Sequence, residues 1–204
     1  MAEPNLTAIA LNCTLKRSPE PSSCELLLSQ VLAALEDHGV AGELVRVADH
    51  SVLPGVGSDE GEGDAWPALR RRILDARILV LGTPIWLGQP SSVCKRVLER
   101  MDAFIGETDE AGRRVTLDRV AAVAMVGNED GAHHVSAELY QALNDVGFTI
   151  PAVAAAYWTD EVGRYREYRE LAETPEATAT SVARVARHLV HLASALAQDP
   201  YPAG

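Results

Sequence analysis

The chain has no uninterrupted apolar run approaching the roughly 20 residues that a membrane-spanning helix needs. Residues 1–7 also lack the basic and apolar regions of a secretory leader. Both absences lead to the expectation of a cytoplasmic protein with no membrane partner. Cysteine is scarce: Cys13, Cys24 and Cys94 form no CxxC and no metal-binding spacing, and their odd count suits a reducing compartment in which they pack as buried thiols. Basic residues are outnumbered, 18 Lys and Arg against 29 Asp and Glu. The resulting net charge of −11 argues against nucleic acid, whose binding rests on cations at phosphates. Neither GxGxxG nor GxxxxGK[ST] occurs, which removes the dinucleotide fingerprint and the Walker loop. No catalytic triad or pair of carboxylates stands out. The remainder, 47% apolar and 23% charged over 204 residues, is ordinary for a globular protein, and residues 1–204 are read as one domain.

One stretch organises the chain. Ile78-Leu79-Val80-Leu81 is an unbroken apolar run bounded by Gly82, the pattern of a strand buried on both faces. Gly82-Thr83-Pro84 is expected to stop it. Ile85-Trp86-Leu87 then places large apolar groups in a loop, and Ser91 or Ser92 caps a helix carrying Val93, Val97, Leu98, Met101 and Ile105. A Trp on a loop at the carboxyl end of a buried strand covers a flat conjugated ligand, folds back on the core, or meets another subunit.

The same grammar repeats along the chain. Residues 6–11 (LTAIAL) form a first strand that ends in a hydroxyl-rich loop, and Ser22 with Glu25 gives a capping-box start to a helix buried through Leu28, Val31, Leu32 and Leu35. Thr14, Ser18, Ser22 and Ser23 therefore lie at or beside a helix start, where free N–H groups favour an anion. Residues 43–47 form a second strand, and residues 54–64 (PGVGSDEGEGD) read as a mobile acidic loop. Asp64 is placed to cap a helix that buries Trp66, Leu69 and Ile73. Residues 120–126 (VAAVAMV) are a fourth strand, followed by a glycine-bounded loop and a helix with Val135, Leu139, Leu143 and Val146. His133 and His134 are neighbours on that helix and point about 100° apart, which suits no shared metal ion. Residues 148–156 are the fifth strand and residues 160–173 a charged loop or partner contact. Thr174 and Pro175 open the last helix, with Val182, Val185, Leu189, Leu192 and Leu196 inside.

Five strands alternating with five helices predict an α/β three-layer sandwich with a five-stranded parallel sheet in the order 2-1-3-4-5. That order puts the loops after strands one, three and four at one crevice. At this point the chain resembles a family. Thr83-Pro84-Ile85-Trp86-Leu87-Gly88 with its serine-capped helix is similar to a segment of the flavodoxin-like NAD(P)H-dependent FMN reductases, and Gly127-Asn128-Glu129-Asp130-Gly131-Ala132-His133-His134 is similar to the flavin-side loop of one branch of them.

The resemblance implies FMN as cofactor and NAD(P)H as co-substrate. It assigns Thr14, Lys16, Ser22 and Ser23 to the FMN phosphate. Thr83, Pro84, Ile85, Trp86, Leu87 and Gly88 fall to one side of the isoalloxazine ring, and Gly127, Asn128, Glu129, Asp130 and Gly131 to the other. The first loop reads Asn12-Cys13-Thr14-Leu15-Lys16 where relatives open on Gly-Ser and a basic residue. The implied activity passes hydride from NAD(P)H through FMN to a flavin, a quinone or another small acceptor. It demands no side-chain base. An FMN electron carrier and a flavin-free interaction module are the alternatives. A single compact anion site, with no second glycine-rich segment, favours FMN over FAD. Trp86, Trp158, Tyr165 and Tyr168 exceed what one crevice can bury, which leads to the expectation of a homodimer.

Overall fold

Five apolar runs pair side by side in parallel, because only a sheet covered by helices on both faces takes both sides of such strands out of water. The computed structural model describes residues 6–161 and 163–202; residues 1–5, on which most of the reading of the amino terminus rests, lie outside the described residues. The strands are β1 (Thr7–Asn12), β2 (Ala41–Arg46), β3 (Ile78–Trp86), β4 (Gln89–Pro90), β5 (Val120–Gly127) and β6 (Ala155–Thr159). The helices are α1 (Ser23–Glu36), α2 (Trp66–Asp75), α3 (Ser92–Met101), α4 (Ala132–Asp145) and α5 (Glu176–Gln198). Sheet order is β2-β1-β3-β5-β6. Setting aside the two-residue β4, which pairs antiparallel with β3 only, this is the predicted topology.

Alternate residues of each strand feed two cores. Leu11, Leu81 and Met125 face α2, α3 and α4, where Trp66, Val97 and Leu139 meet them. Ala10, Val80 and Ala124 face α1 and α5, against Leu28, Val31 and Leu189. Gly82 lets α1 approach: a Cβ there would lie 2.5 Å from Leu28 Cδ1. All three cysteines are buried free thiols. Burial is the main reason that the Cys13 and Cys24 thiols lie well above their ordinary pKa.

Four local expectations are corrected. The strand expected to stop at Gly82 runs on to Trp86, since Thr83 and Pro84 pair with Met125 and Val126 of β5. Backbone groups of residues two apart point to the same side, and Gly82 O accepts from Cys13 N. Pro84 therefore turns its missing N–H toward the side that β1 has already left, where no ladder bond is lost. The fifth strand is shifted, covering Ala155–Thr159 and not residues 148–156. Ala121 N bonds Thr149 O and Val123 N bonds Ala154 O, so the chain beside β5 spends extra residues between those two bonds. Pro151, which has no N–H, and Val153, at φ 54°, lie in that excursion.

The acidic loop at residues 54–64, read from its composition as a mobile surface loop, is anchored to α3. Arg100 of α3, fully buried, donates to Leu53 O at 2.9 Å and Gly57 O at 3.0 Å and pairs with Asp64 at 2.7 Å. Helix α5 starts one residue late, with Pro175 as its cap residue and Glu176 first.

Candidate flavin site

Loops at the carboxyl ends of β1, β3 and β5 converge because Asn12, Gly82 and Ala124 stand level in the sheet. The first loop is held from within. Asn12 Oδ1 accepts from Thr14 N at 3.1 Å, Asn12 Nδ2 donates to Glu25, and Ser91 Oγ donates to Cys13 O at 2.6 Å. Ser22 caps α1 by accepting from Glu25 N at 3.2 Å. The capping box is only half made, since the Glu25 carboxylate turns to Asn12 and to Arg46, whose Nε donates at 2.9 Å. Thr14 and Ser23 are buried, and Lys16 has no side-chain partner among the described residues.

The second loop is a tight hairpin, with Trp86 paired to Gln89 across Leu87 (φ 53°) and Gly88 (φ 71°). Two successive residues at positive φ are what a two-residue hairpin with the sheet's twist demands. Trp86 is 46% exposed and Leu87 93% exposed. The third loop locks onto this hairpin. Glu129 Oε1 accepts from Gly88 N at 2.8 Å, and at Gly131, φ 126°, a Cβ would lie 2.9 Å from Gly88 Cα. His133 and His134 part company there: His133 meets Tyr157 at 3.4 Å and His134 meets Gln89 at 2.8 Å.

Between the loops lies an open cleft. Thr14, Leu15, Lys16, Ser22 and Ser23 form one wall, Pro84, Ile85 and Trp86 a second, and Val126, Gly127 and Asn128 a third. Of the residues singled out from sequence, Thr83, Leu87, Gly88, Glu129, Asp130 and Gly131 do not line it. Thr83 is buried and accepts from Ser91 N at 3.0 Å; Gly88, Glu129 and Gly131 join the two loops; Leu87 points to water.

Trp158, Arg166, Glu167 and Tyr168 also line the cleft and were not assigned to it from sequence. Trp158 lies in β6, not after a strand, and is buried against Tyr168, ring centroids 5.4 Å apart. Two of the four aromatics behind the homodimer expectation are thus buried within the chain, leaving Trp86 and Tyr165 exposed.

The donor set suits a flavin phosphate: hydroxyls and a lysine at the start of α1, apolar and aromatic walls beside them. Comparison with known proteins decides the family. The model of the family described as NADPH-dependent FMN reductase matches residues 7–161. The chain belongs to that family. It is 36% identical over 170 residues to 8-demethyl-8-aminoriboflavin-5'-phosphate synthase from Streptomyces davaonensis, covering 78% of this chain and 65% of the relative. It is 43% identical over 162 residues to a protein from Mycobacterium bovis named divalent metal cation transporter MntH, covering 78% of this chain and 24% of that one. The chain thus spans about a quarter of one of these relatives and just under two thirds of the other. Among the described residues no helix is long and apolar enough to cross a membrane.

A crystal structure of RosB with bound 8-demethyl-8-formylriboflavin-5'-phosphate superposes with a TM-score of 0.87 at 33% identity, covering 96% of this chain and 82% of that one. The apo form of the NADH:FMN oxidoreductase EMOB shares the fold, with a TM-score of 0.64 at 16% identity over 91% of this chain and 89% of that one. The family's flavodoxin-like fold and its FMN are what the order of elements and the family resemblance implied.

Proposed function

We propose that this chain is one flavodoxin-like domain that holds FMN in the cleft and passes hydride from NAD(P)H to a flavin, a quinone or another small acceptor. Membership of the FMN reductase family supports an FMN-dependent oxidoreductase, and the observation that carries the reading is the cleft's polarity. Thr14, Lys16, Ser22 and Ser23 gather at one wall, and Pro84, Ile85, Trp86 and Trp158 offer apolar surface opposite. Bound FMN supplies the hydride-accepting ring. The chain's own residues bind and orient: the α1 start and its hydroxyls take the phosphate, Trp86 and Ile85 cover the ring, and Val126, Gly127 and Asn128 form the other wall. Exposed Trp86 and Leu87 at the rim favour a homodimer in which a second copy covers them.

The test is titration with FMN followed by anaerobic addition of NADPH. Quenching of flavin fluorescence, then bleaching of the flavin absorbance and multiple turnovers with a quinone, is the expected result. Bleaching only with a partner reductase would make the chain an electron carrier, and no flavin binding would leave an interaction module.

A second reading is favoured by the likeness to RosB, whose bound flavin phosphate is altered at ring position 8. Under this second reading FMN is the substrate of this chain, and flavin recovered after turnover changes in mass; under the first reading its mass is unchanged.

Trp86→Ala tests the ring wall directly. Edge or stacking contact is worth about 0.5–1.5 kcal/mol beyond area burial, so loss of that contact alone lowers FMN affinity about 2- to 13-fold. Turnover falls further, because small losses of alignment are costly in rate. Unchanged affinity and NADPH oxidation would remove Trp86 from the site.

A further inference from the structure

Residues 163–168 fold back over the first loop, beyond the stretch that the family model matches. Their anchor is Asp160. Its N–H donates to Gly127 O at 2.9 Å, and its carboxylate accepts from Arg166 N at 2.7 Å and from Arg166 Nη2 at 2.7 Å. The Arg166 bonds are the first reason that the Asp160 carboxyl is lowered to about 2, so it stays ionised at any working pH. Next in the chain, Glu167 Oε2 accepts from Ser23 Oγ at 2.7 Å, and Tyr168 Oη donates to Gln30 at 2.7 Å. The segment is therefore fastened to the start of α1 on one side and to the end of β5 on the other.

The fastening leaves one cation pointed at the cleft. Arg166 spends Nε and Nη2 on Asp160, while Nη1 has no partner among the described residues and the side chain is 45% exposed at the cleft wall. A guanidinium pre-oriented by a buried carboxylate, with one face of donors unspent, is built to take an anion in a fixed direction. Its neighbour has the opposite sign: Glu167 sits on the Ser23 hydroxyl at the same wall.

We infer that Arg166 is the residue that selects a phosphorylated flavin over its unphosphorylated form, with Asp160 positioning it and Glu167 opposing the same anion. This rests on the flavin reading above. A phosphomonoester dianion gains from Arg166 and Lys16 and is repelled by Glu167; the neutral end of riboflavin feels none of these charges. Removing Arg166 leaves Glu167 facing the phosphate with only Lys16 against it, whereas neutralising Glu167 frees the Ser23 hydroxyl to donate to the phosphate.

Titration of the full chain with FMN and with riboflavin, side by side, tests the inference. Arg166→Gln weakens FMN binding about 10- to 100-fold, as loss of a charge-assisted bond implies, while riboflavin binding holds; the melting temperature falls, since the buried Asp160 side chain loses its charged partner. Arg166→Lys restores part of the FMN affinity, Glu167→Gln raises it, and added salt narrows the difference between FMN and riboflavin in the wild type. Equal losses for both flavins in Arg166→Gln, or unchanged FMN affinity, overturn the role of Arg166 and leave the flavin site standing. Wild-type protein that binds neither flavin overturns the site itself and this inference with it.

Discussion

Arg100→Met is expected to lower the free energy of unfolding by about 3–5 kcal/mol, the cost of breaking a buried ion pair by removing one member. The methionine fills a similar volume but leaves the Asp64 carboxylate in a site where both side chains are fully buried. It also strips the carbonyls of Leu53 and Gly57 of their donors, and it removes the guanidinium that lies 5.7 Å from the Trp66 ring centre. The glycine-rich loop of residues 54–64 loses its only arginine anchor among the described residues and loosens. Urea unfolding at neutral pH measures the change, and a loss under about 1 kcal/mol would mean that the pair is worth no more than a surface contact.

The pH dependence has a definite sign. Burial by itself raises the Asp64 carboxyl, but Arg100 and the N–H groups of Glu60, Trp66 and Leu53 outweigh it and hold the group well below the usual carboxylate range. A depressed carboxyl stabilises the fold above its unfolded pKa, about 3.9, and that contribution is lost as the pH falls. The gap between wild type and Arg100→Met is full at neutral pH and narrows below about pH 4. None of these groups lines the flavin cleft, so variant protein that remains folded keeps its FMN affinity.

Arg100 also shows what was legible in the sequence. It stands three residues after Val97 and seven after Val93, on the apolar stripe of α3, and an arginine on a buried face must have a carboxylate to meet. The acidic loop that supplies Asp64 reads by composition as mobile, because glycine and charge carry no sign of a distant partner. The first four buried strands, the Ser22 and Ser91 caps and the three loops at the carboxyl edge were visible for the opposite reason: each is dictated by local periodicity and by the residues at the helix start. The excursion around Pro151 and Val153 was not, since the same apolar letters serve a strand and a buried loop. Arg166 and Glu167 lie in a charged stretch without period, and only the fold back onto Ser23 gives them a place in the cleft.

Gly131→Ala carries the largest expected effect on flavin binding. Gly131 has φ 126°, a conformation that costs a residue with a Cβ about 1–3 kcal/mol. The new methyl group would also stand 2.9 Å from Gly88 Cα and 3.3 Å from Gly88 O, so backbone has to move. What moves is the contact between the second and third loops, where Glu129 holds Gly88 N–H, and with it the separation of the two ring walls. Gly88→Ala separates strain from clash. Its φ is 71°, yet a Cβ there meets nothing within 4 Å, so it costs only the left-handed conformation, about 1 kcal/mol. FMN affinity and the rate of NADPH oxidation should therefore fall steeply in Gly131→Ala, more than in Trp86→Ala, and only modestly in Gly88→Ala. Equal effects from the two glycine variants would show that backbone strain alone matters and that the spacing of the loops does not set the site.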